Sequence, residues 1–173
     1  MKIALKIVGV LVVIISLFIG GLGVFRSFRD AKDAKEYHEI VAKSQKQLSE
    51  YRQQSEQMEE GYEKESLLEI IKAGEDAIID IPSPGTFTFI GVLMVILTLV
   101  VLLSGIFLFV SNPKIANILF TLAILVSIIA IVISPNIDGG VSGGISNRKL
   151  GIIVGAAATL SALFPFLLAR KKN

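Results

Sequence analysis

The sequence has no cysteine and no tryptophan. Without cysteine there is no disulfide, no thiolate ligand for a metal and no cysteine nucleophile. Without tryptophan, only tyrosine and phenylalanine are left to mark the two edges of a membrane. These absences are compatible with either side of a membrane and fix no compartment.

Charged side chains are missing from four long stretches of the chain. Each stretch has roughly 19–24 residues, which as a helix matches a hydrocarbon core of about 30 Å. The chain is 53% hydrophobic, with a mean hydropathy of +0.70. These stretches predict an all-α integral membrane protein with four transmembrane helices, at 1–25, 86–110, 113–134 and 149–169. Between the last two lies a glycine-rich loop at 135–148, and a basic tail follows at 170–173.

The first stretch has a second interpretation. A basic start, an apolar run and the small residues at Gly20, Gly21 and Gly23 also fit a cleaved signal peptide. The apolar run continues beyond these glycines to Phe25, which favours an uncleaved transmembrane anchor.

Charge within a membrane span usually marks an ion pump, a proton relay or a transporter of charged substrates. The charge-free stretches themselves lie at 7–25, 87–110, 115–133 and 150–169, and the lysines within the predicted spans lie only at their ends. This lack of charge in the membrane core disfavours a proton-coupled transporter. His38 is the only histidine, and its charged neighbours predict a solvated surface position. The loop at 135–148 lacks the ending of a phosphate-binding loop, so it is interpreted as a flexible connector. We therefore expect no enzyme activity, catalytic residue, cofactor or metal site.

The segment 26–85 is the one sizeable polar region. Neither glycine nor proline occurs between Val24 and Glu60, so the first span is expected to continue outward as one long helix. Gly61 is the natural hinge, and a shorter amphipathic helix follows it. The second helix either returns along the first, completing an extramembrane helical hairpin, or lies on the bilayer surface.

This polar segment is acidic. Between Arg26 and Asp80 there are 14 of the 15 acidic residues and 9 basic ones. Nucleic-acid binding would need a basic stripe, so it is excluded as a function. The acidity also disfavours contact of the second helix with anionic lipid.

A heptad-like seam runs along the predicted long helix. Its larger members recur in steps of three, four and seven, at Val41, Leu48, Tyr51, Met58 and Tyr62. This spacing is typical of a coiled coil, with polar residues elsewhere. The alternative is a solvated amphipathic helix that packs on its own neighbour.

The fourth span carries a stripe of small residues, formed by Gly151, Gly155, Ala158 and Ala162. Small residues let two helix backbones approach closely, and in lipid this fit drives helix association. The stripe either packs within the same chain or forms a subunit interface.

The leading functional hypothesis is a non-enzymatic interaction or accessory subunit of a membrane complex. Its contacts would be the long helix after the first span and the small-residue face of the fourth. The expected partners are the lipid bilayer and another membrane protein or further copies of the chain. The rival hypothesis is a small oligomeric channel or transporter component.

The basic residues next to the spans give only a slight bias in orientation. Arg170 and the lysines after it directly abut the fourth span, which favours both termini in the cytoplasm. No N-x-[ST] glycosylation acceptor occurs, which mildly favours a prokaryotic plasma membrane.

Overall fold

The computed structural model describes residues 2–110, 112–137, 141 and 143–170. This part of the chain is helical and contains no strand. The helices are α1 (Lys2–Gln57), α2 (Tyr62–Asp76), α3 (Pro84–Phe107), α4 (Pro113–Ile133) and α5 (Asn147–Arg170). All except α2 are long and apolar enough to cross a membrane, so the predicted all-α, four-span architecture is confirmed.

Four helices form a bundle in which α1 packs on α3 and α5, and α4 also packs on α3 and α5. The pair α3 and α5 are in contact across the middle of the bundle, while α1 and α4 lie on opposite sides. The short turn between α3 and α4 makes them antiparallel neighbours. Asn112 caps α4, since its side chain accepts from the backbone N–H of Lys114 and Ile115 at 3.1 and 3.3 Å.

The centre of the bundle is filled with apolar side chains, of which Ile90, Met94 and Leu97 are fully buried. Helices approach one another closely at small residues. A Cβ built on Gly20 would lie 2.6 Å from Oγ1 of Thr98, closer than real side chains pack. Large apolar side chains also cover the outside of the bundle, as expected of a surface that faces lipid.

The first helix is much longer than a membrane is thick. At 1.5 Å per residue, its 56 residues extend about 84 Å, against about 36 Å for α3. Its second half lies beyond the bundle, and α2 contacts this helix and no other helix of the described chain. The two helices are linked by the side chains of Arg52 and Glu75, which form an ion pair. That α1 and α2 form a helical hairpin outside the bilayer stays a prediction.

The predicted heptad-like seam does not run along a single helix, because its last two residues lie beyond the end of α1. Because α1 ends at Gln57, Met58 lies in the connection and Tyr62 is the first residue of α2. The last turn of α1 holds Glu56 and no basic residue. A negative charge is unfavourable there because the carbonyl end of a helix is itself negative, and this favours an end of the helix near Gln57. Gly61 then precedes α2, at the hinge that the sequence predicts.

The other boundaries shift by a few residues. Pro84 begins α3, two residues before the predicted start, because proline is well tolerated in the first turn of a helix. The same helix ends at Phe107, three residues before the predicted end. Asn147 begins α5, two residues early. Residues 171–173 of the predicted basic tail lie outside the described residues.

Candidate functional site

A cluster of buried polar side chains lies where α1 leaves the bundle. Ser27 and Asp30, in the first polar turns after the apolar part of α1, are completely buried. Asn147, the first residue of α5, is completely buried opposite them. Buried polar side chains usually have hydrogen-bond partners. Three of them at this one end of the bundle therefore indicate a set of specific polar contacts there.

The cluster joins residues that are far apart in the sequence. The side-chain N–H of Asn147 donates to Oδ2 of Asp30 at 2.7 Å. Nε of Arg26 lies 3.7 Å from the same oxygen, which makes an ion pair one turn apart on α1. The Arg26 guanidinium also donates to the backbone carbonyls of Gly143 and, at 3.2 Å, Ile145.

Glycines in the loop let its backbone approach Arg26. Gly143 and Gly144 have φ angles of +80° and +102°, a region that other residues rarely adopt. A Cβ on Gly144 would lie 2.9 Å from Nη1 of Arg26. The described end of this loop is therefore held against α1, unlike the flexible connector predicted from its glycine content. Gly139 and Gly140 lie outside the described residues.

An apolar layer continues from the polar cluster. Ala31 and Ala34 of α1 pack with Phe87 of α3, and all three are buried. Ile137 and Val141 of the loop pack on this group. The loop therefore closes one end of the bundle with both polar and apolar contacts.

Within the described part of the chain, three buried polar atoms of this region have no hydrogen-bond partner: Nε of Arg26, Oγ of Ser134 and Oδ1 of Asn147. Leaving such atoms unpaired is unfavourable, by about 1–3 kcal/mol each. Among the residues that the structure describes, no three His, Asp or Glu side chains come together as a metal site would require. The cluster therefore has a structural chemistry, and we name it the latch. In the latch, the carboxylate of Asp30 binds Asn147 of α5, and the guanidinium of Arg26 binds the loop at Gly143 and Ile145.

The predicted small-residue stripe of α5 lies inside the bundle. A Cβ on Gly155 would lie 2.7 Å from Cβ of Ser127 on α4, and one on Gly151 would lie 3.5 Å from Oγ of Ser134. Ala158 and Ala162 are completely buried. These four residues thus pack within the chain, and a subunit interface through this face stays a prediction.

The predicted seam residues of α1 are only partly covered. Val41 and Leu48 are half-buried, whereas Tyr51 is 41% exposed. Leu48 faces α2, because a Cβ on Gly74 would lie 2.8 Å from its Cδ2. Contact with α2 therefore accounts for the best-covered part of the seam, and a coiled coil with another chain stays a prediction.

Comparison of the chain with protein-family models, with curated proteins and with solved structures gives no match.

Sequence reasoning missed the polar cluster. Arg26 and Asp30 belong to the polar segment 26–85 and have the spacing of an ion pair on a helix surface, which by itself indicates exposure to solvent. The signal for burial is in the residues around Asp30, since Ser27, Ala31 and Ala34 form a small-residue face. Nothing in the sequence indicates that Asn147 would be the partner.

Proposed function

We propose that this protein is a non-enzymatic interaction or accessory subunit of a membrane complex, and that its contact surface is the arm. The arm is defined as residues 36–57 of α1 together with α2. The observation that carries this proposal is the length of α1, which exceeds the thickness of a bilayer more than twofold. A chain that served only as a membrane bundle would need no such extension.

Exposed apolar side chains on the arm support a role in protein contact. Ile40 is 61% exposed, Ile70 is 54% exposed and Tyr62 is 86% exposed. They lie among many charged residues, where we expect water and not lipid. Exposed apolar groups on a polar surface are common at the centres of protein interfaces.

The channel alternative has less support. The hydroxyl side chains of Ser16, Ser104 and Ser127 are buried inside the bundle and donate to helix carbonyls. A pore built from several copies would need polar groups on an outer face, directed toward a symmetry axis. No observation in the described residues favours that arrangement.

We further propose a prokaryotic plasma membrane with both termini in the cytoplasm. At the end of the bundle opposite the arm, Lys6 lies over the ring of Phe109 at 5.5 Å, and Arg170 lies over Phe166 at 4.6 Å. Such basic and aromatic pairs are suited to a headgroup region. Protease added to intact cells should then cut the arm, and inside-out vesicles should protect it.

A photo-crosslinking residue placed at position 70 tests the interaction role in native membranes. The matched control is position 125, because Ile70 and Leu125 are both 54% exposed and Leu125 lies on the outer face of α4. We expect a protein adduct of discrete mass from position 70, and lipid adducts from position 125. Mass spectrometry of the adduct identifies the partner, or a second copy of this chain.

The proposal is wrong if positions 40, 62 and 70 all give no protein adduct while position 125 shows that the crosslinker works. Adducts of equal yield and no discrete mass at all positions would also contradict it, because they indicate random collision.

A further inference from the structure

A groove of about 310 Å³ lies beside the polar cluster, at the base of the arm. Its lining consists of Leu22, Phe25, Arg26, Arg29, Ile145 and Leu150. We name this the interfacial groove. Its walls are apolar, and two arginines lie at one end. Arg26 also belongs to the latch, whereas Leu22, Phe25 and Arg29 belong neither to the latch nor to the arm.

The groove lies where the apolar part of α1 gives way to its charged part. Leu22 and Phe25 belong to the last turn of the apolar run and are 51% and 67% exposed. Arg26 and Arg29 follow directly. Because a helix rises about 5.4 Å per turn, the arginines lie one turn above the apolar wall. A membrane changes from acyl chains to headgroups over a similar distance.

Arg29 is available for a ligand. Its side chain is 58% exposed, and its contact is an ion pair in which Nε lies 3.7 Å from Oδ2 of Asp33. That distance is too long for a hydrogen bond. The guanidinium therefore keeps its fork of N–H donors, the geometry that binds phosphate in a bidentate way.

Charge around the groove favours an anion. Of the two carboxylates paired with its arginines, Asp30 is completely buried and faces Asn147 in the latch. Lys149, exposed in the first turn of α5, adds positive charge next to Leu150. The first turn of α5 contains no acidic residue of its own.

We propose that the interfacial groove binds one anionic phospholipid from the leaflet on the side of the arm. Arg29 binds the phosphate, with Arg26 beside it, and an acyl chain lies against Leu22 and Phe25. A free phosphate ion would gain nothing from these apolar walls. A phosphatidylcholine would bring a cation toward the arginines, which explains the preference for an anionic headgroup. This site is independent of the proposed interaction role.

Purified full-length protein in a neutral detergent tests this assignment. It is titrated separately with phosphatidylglycerol, with phosphatidylcholine and with inorganic phosphate, and native mass spectrometry counts the bound molecules. We expect one phosphatidylglycerol per chain, bound about tenfold more tightly than phosphatidylcholine, and no competition by inorganic phosphate at equal concentration.

Two variants locate the site. Arg29→Gln should weaken phosphatidylglycerol binding about tenfold, the loss expected of one charge-assisted phosphate contact. The matched control is Lys32→Gln, which also removes one positive charge from an ion pair with the residue four positions later, at 3.6 Å. Because Lys32 is 76% exposed and does not line the groove, its loss should change binding less than about threefold. Leu22→Ala should weaken the binding of phosphatidylglycerol without changing the helix, because it removes part of the apolar wall.

Three outcomes would overturn the assignment. Equal losses for Arg29→Gln and Lys32→Gln would mean that lipid senses only the general charge of this end of α1. Equal binding of phosphatidylcholine would remove the anion requirement. Displacement of the lipid by inorganic phosphate alone would show a phosphate site in which the apolar walls take no part.

Discussion

The two halves of α1 belong to the same helix but pack by different means. In the first half, a Cβ added to Gly20 or Gly23 would approach a side chain of α3 or α5 within 2.7 Å, and one added to Gly9 would lie 2.8 Å from Leu108, which follows α3. In the second half there is no glycine, and the helix meets α2 through larger side chains such as Leu48. In the first half α1 supplies the glycine at its close contacts, whereas in the second half α1 supplies the large side chain and the glycine, Gly74, belongs to α2.

We propose that the solvent around each half explains this difference, with lipid around the first half and water around the second. In lipid the surroundings are as apolar as the protein, so helices associate through shape fit and interhelical hydrogen bonds. Ser16 provides one such bond, donating from α1 to the carbonyl of Ala157 on α5 at 3.1 Å. In water, burial of a large apolar side chain such as Ile71, which is 4% exposed, is itself favourable. The latch at Asp30 lies between the part of α1 that packs as in lipid and the part that packs as in water.

The largest effect is expected at that boundary. Asp30→Leu removes the acceptor of Asn147 and leaves Arg26 beside an apolar side chain, which should lower the free energy of unfolding by about 3–4 kcal/mol. The control Asp33→Leu removes a carboxylate that is 31% exposed and should cost less than about 1 kcal/mol. Unfolding of both variants in mild detergent measures the difference, and equal effects would show that the latch does not hold the loop.

The bundle should be sensitive to added volume at its glycines. Gly155→Leu places a large side chain where even a Cβ would meet Ser127 at 2.7 Å, so we expect a loss of about 2–3 kcal/mol. Gly21→Leu is the matched control, because nothing lies within 4 Å of a Cβ built there. The same unfolding measurement should find Gly21→Leu as stable as the native chain or slightly more so, since leucine favours helix over glycine. A similar loss at both positions would contradict the close packing of α5 on α4.

The arm should instead be sensitive to lost volume. Ile71→Ala should destabilise the attachment of α2 by about 2 kcal/mol, because Ile71 is its buried apolar residue. Ile70→Ala, at the neighbouring residue that is 54% exposed, should have almost no effect. Since α2 packs on α1 and on no other helix of the described chain, amide hydrogen exchange should quicken in α2 and stay unchanged in α3. Faster exchange throughout the bundle would mean that the arm and the bundle unfold together.

The sequence predicts those features that depend on local composition. The charge-free length of each span predicts the four helices, and the short gap between the predicted spans 86–110 and 113–134 predicts the turn between α3 and α4. Gly61 predicts the break in the polar segment. Each of these signals lies within one continuous stretch of the chain.

The candidate site could not be predicted because its contacts are distant in sequence. Asp30 is buried by Asn147, 117 residues further along the chain, and by a loop whose glycines indicate only flexibility. The sequence shows the stripe around Gly155 but not which helix it contacts, because that depends on how the bundle closes. Likewise the seam predicted through Tyr62 could not show that α1 ends at Gln57, because helix ends depend on small differences in capping and charge.

The smallest effect is expected at the connection between α2 and α3. The hydroxyl of Tyr37 accepts from the backbone N–H of Ile79 at 2.7 Å and donates to its carbonyl at 3.0 Å, which ties this connection to α1. Tyr37→Phe removes both bonds and should cost about 1 kcal/mol, because water replaces them in part. Tyr51→Phe is the control, at a tyrosine of the same helix that is 41% exposed and lies away from this connection. Amide exchange of Ile79 should quicken about fivefold for the first variant and stay the same for the second. If Tyr37→Phe leaves the exchange of Ile79 unchanged, the connection is held by the packing of Ile81 on Ala31 and Phe87 and not by hydrogen bonds, and the apolar mode of attachment extends along the whole arm.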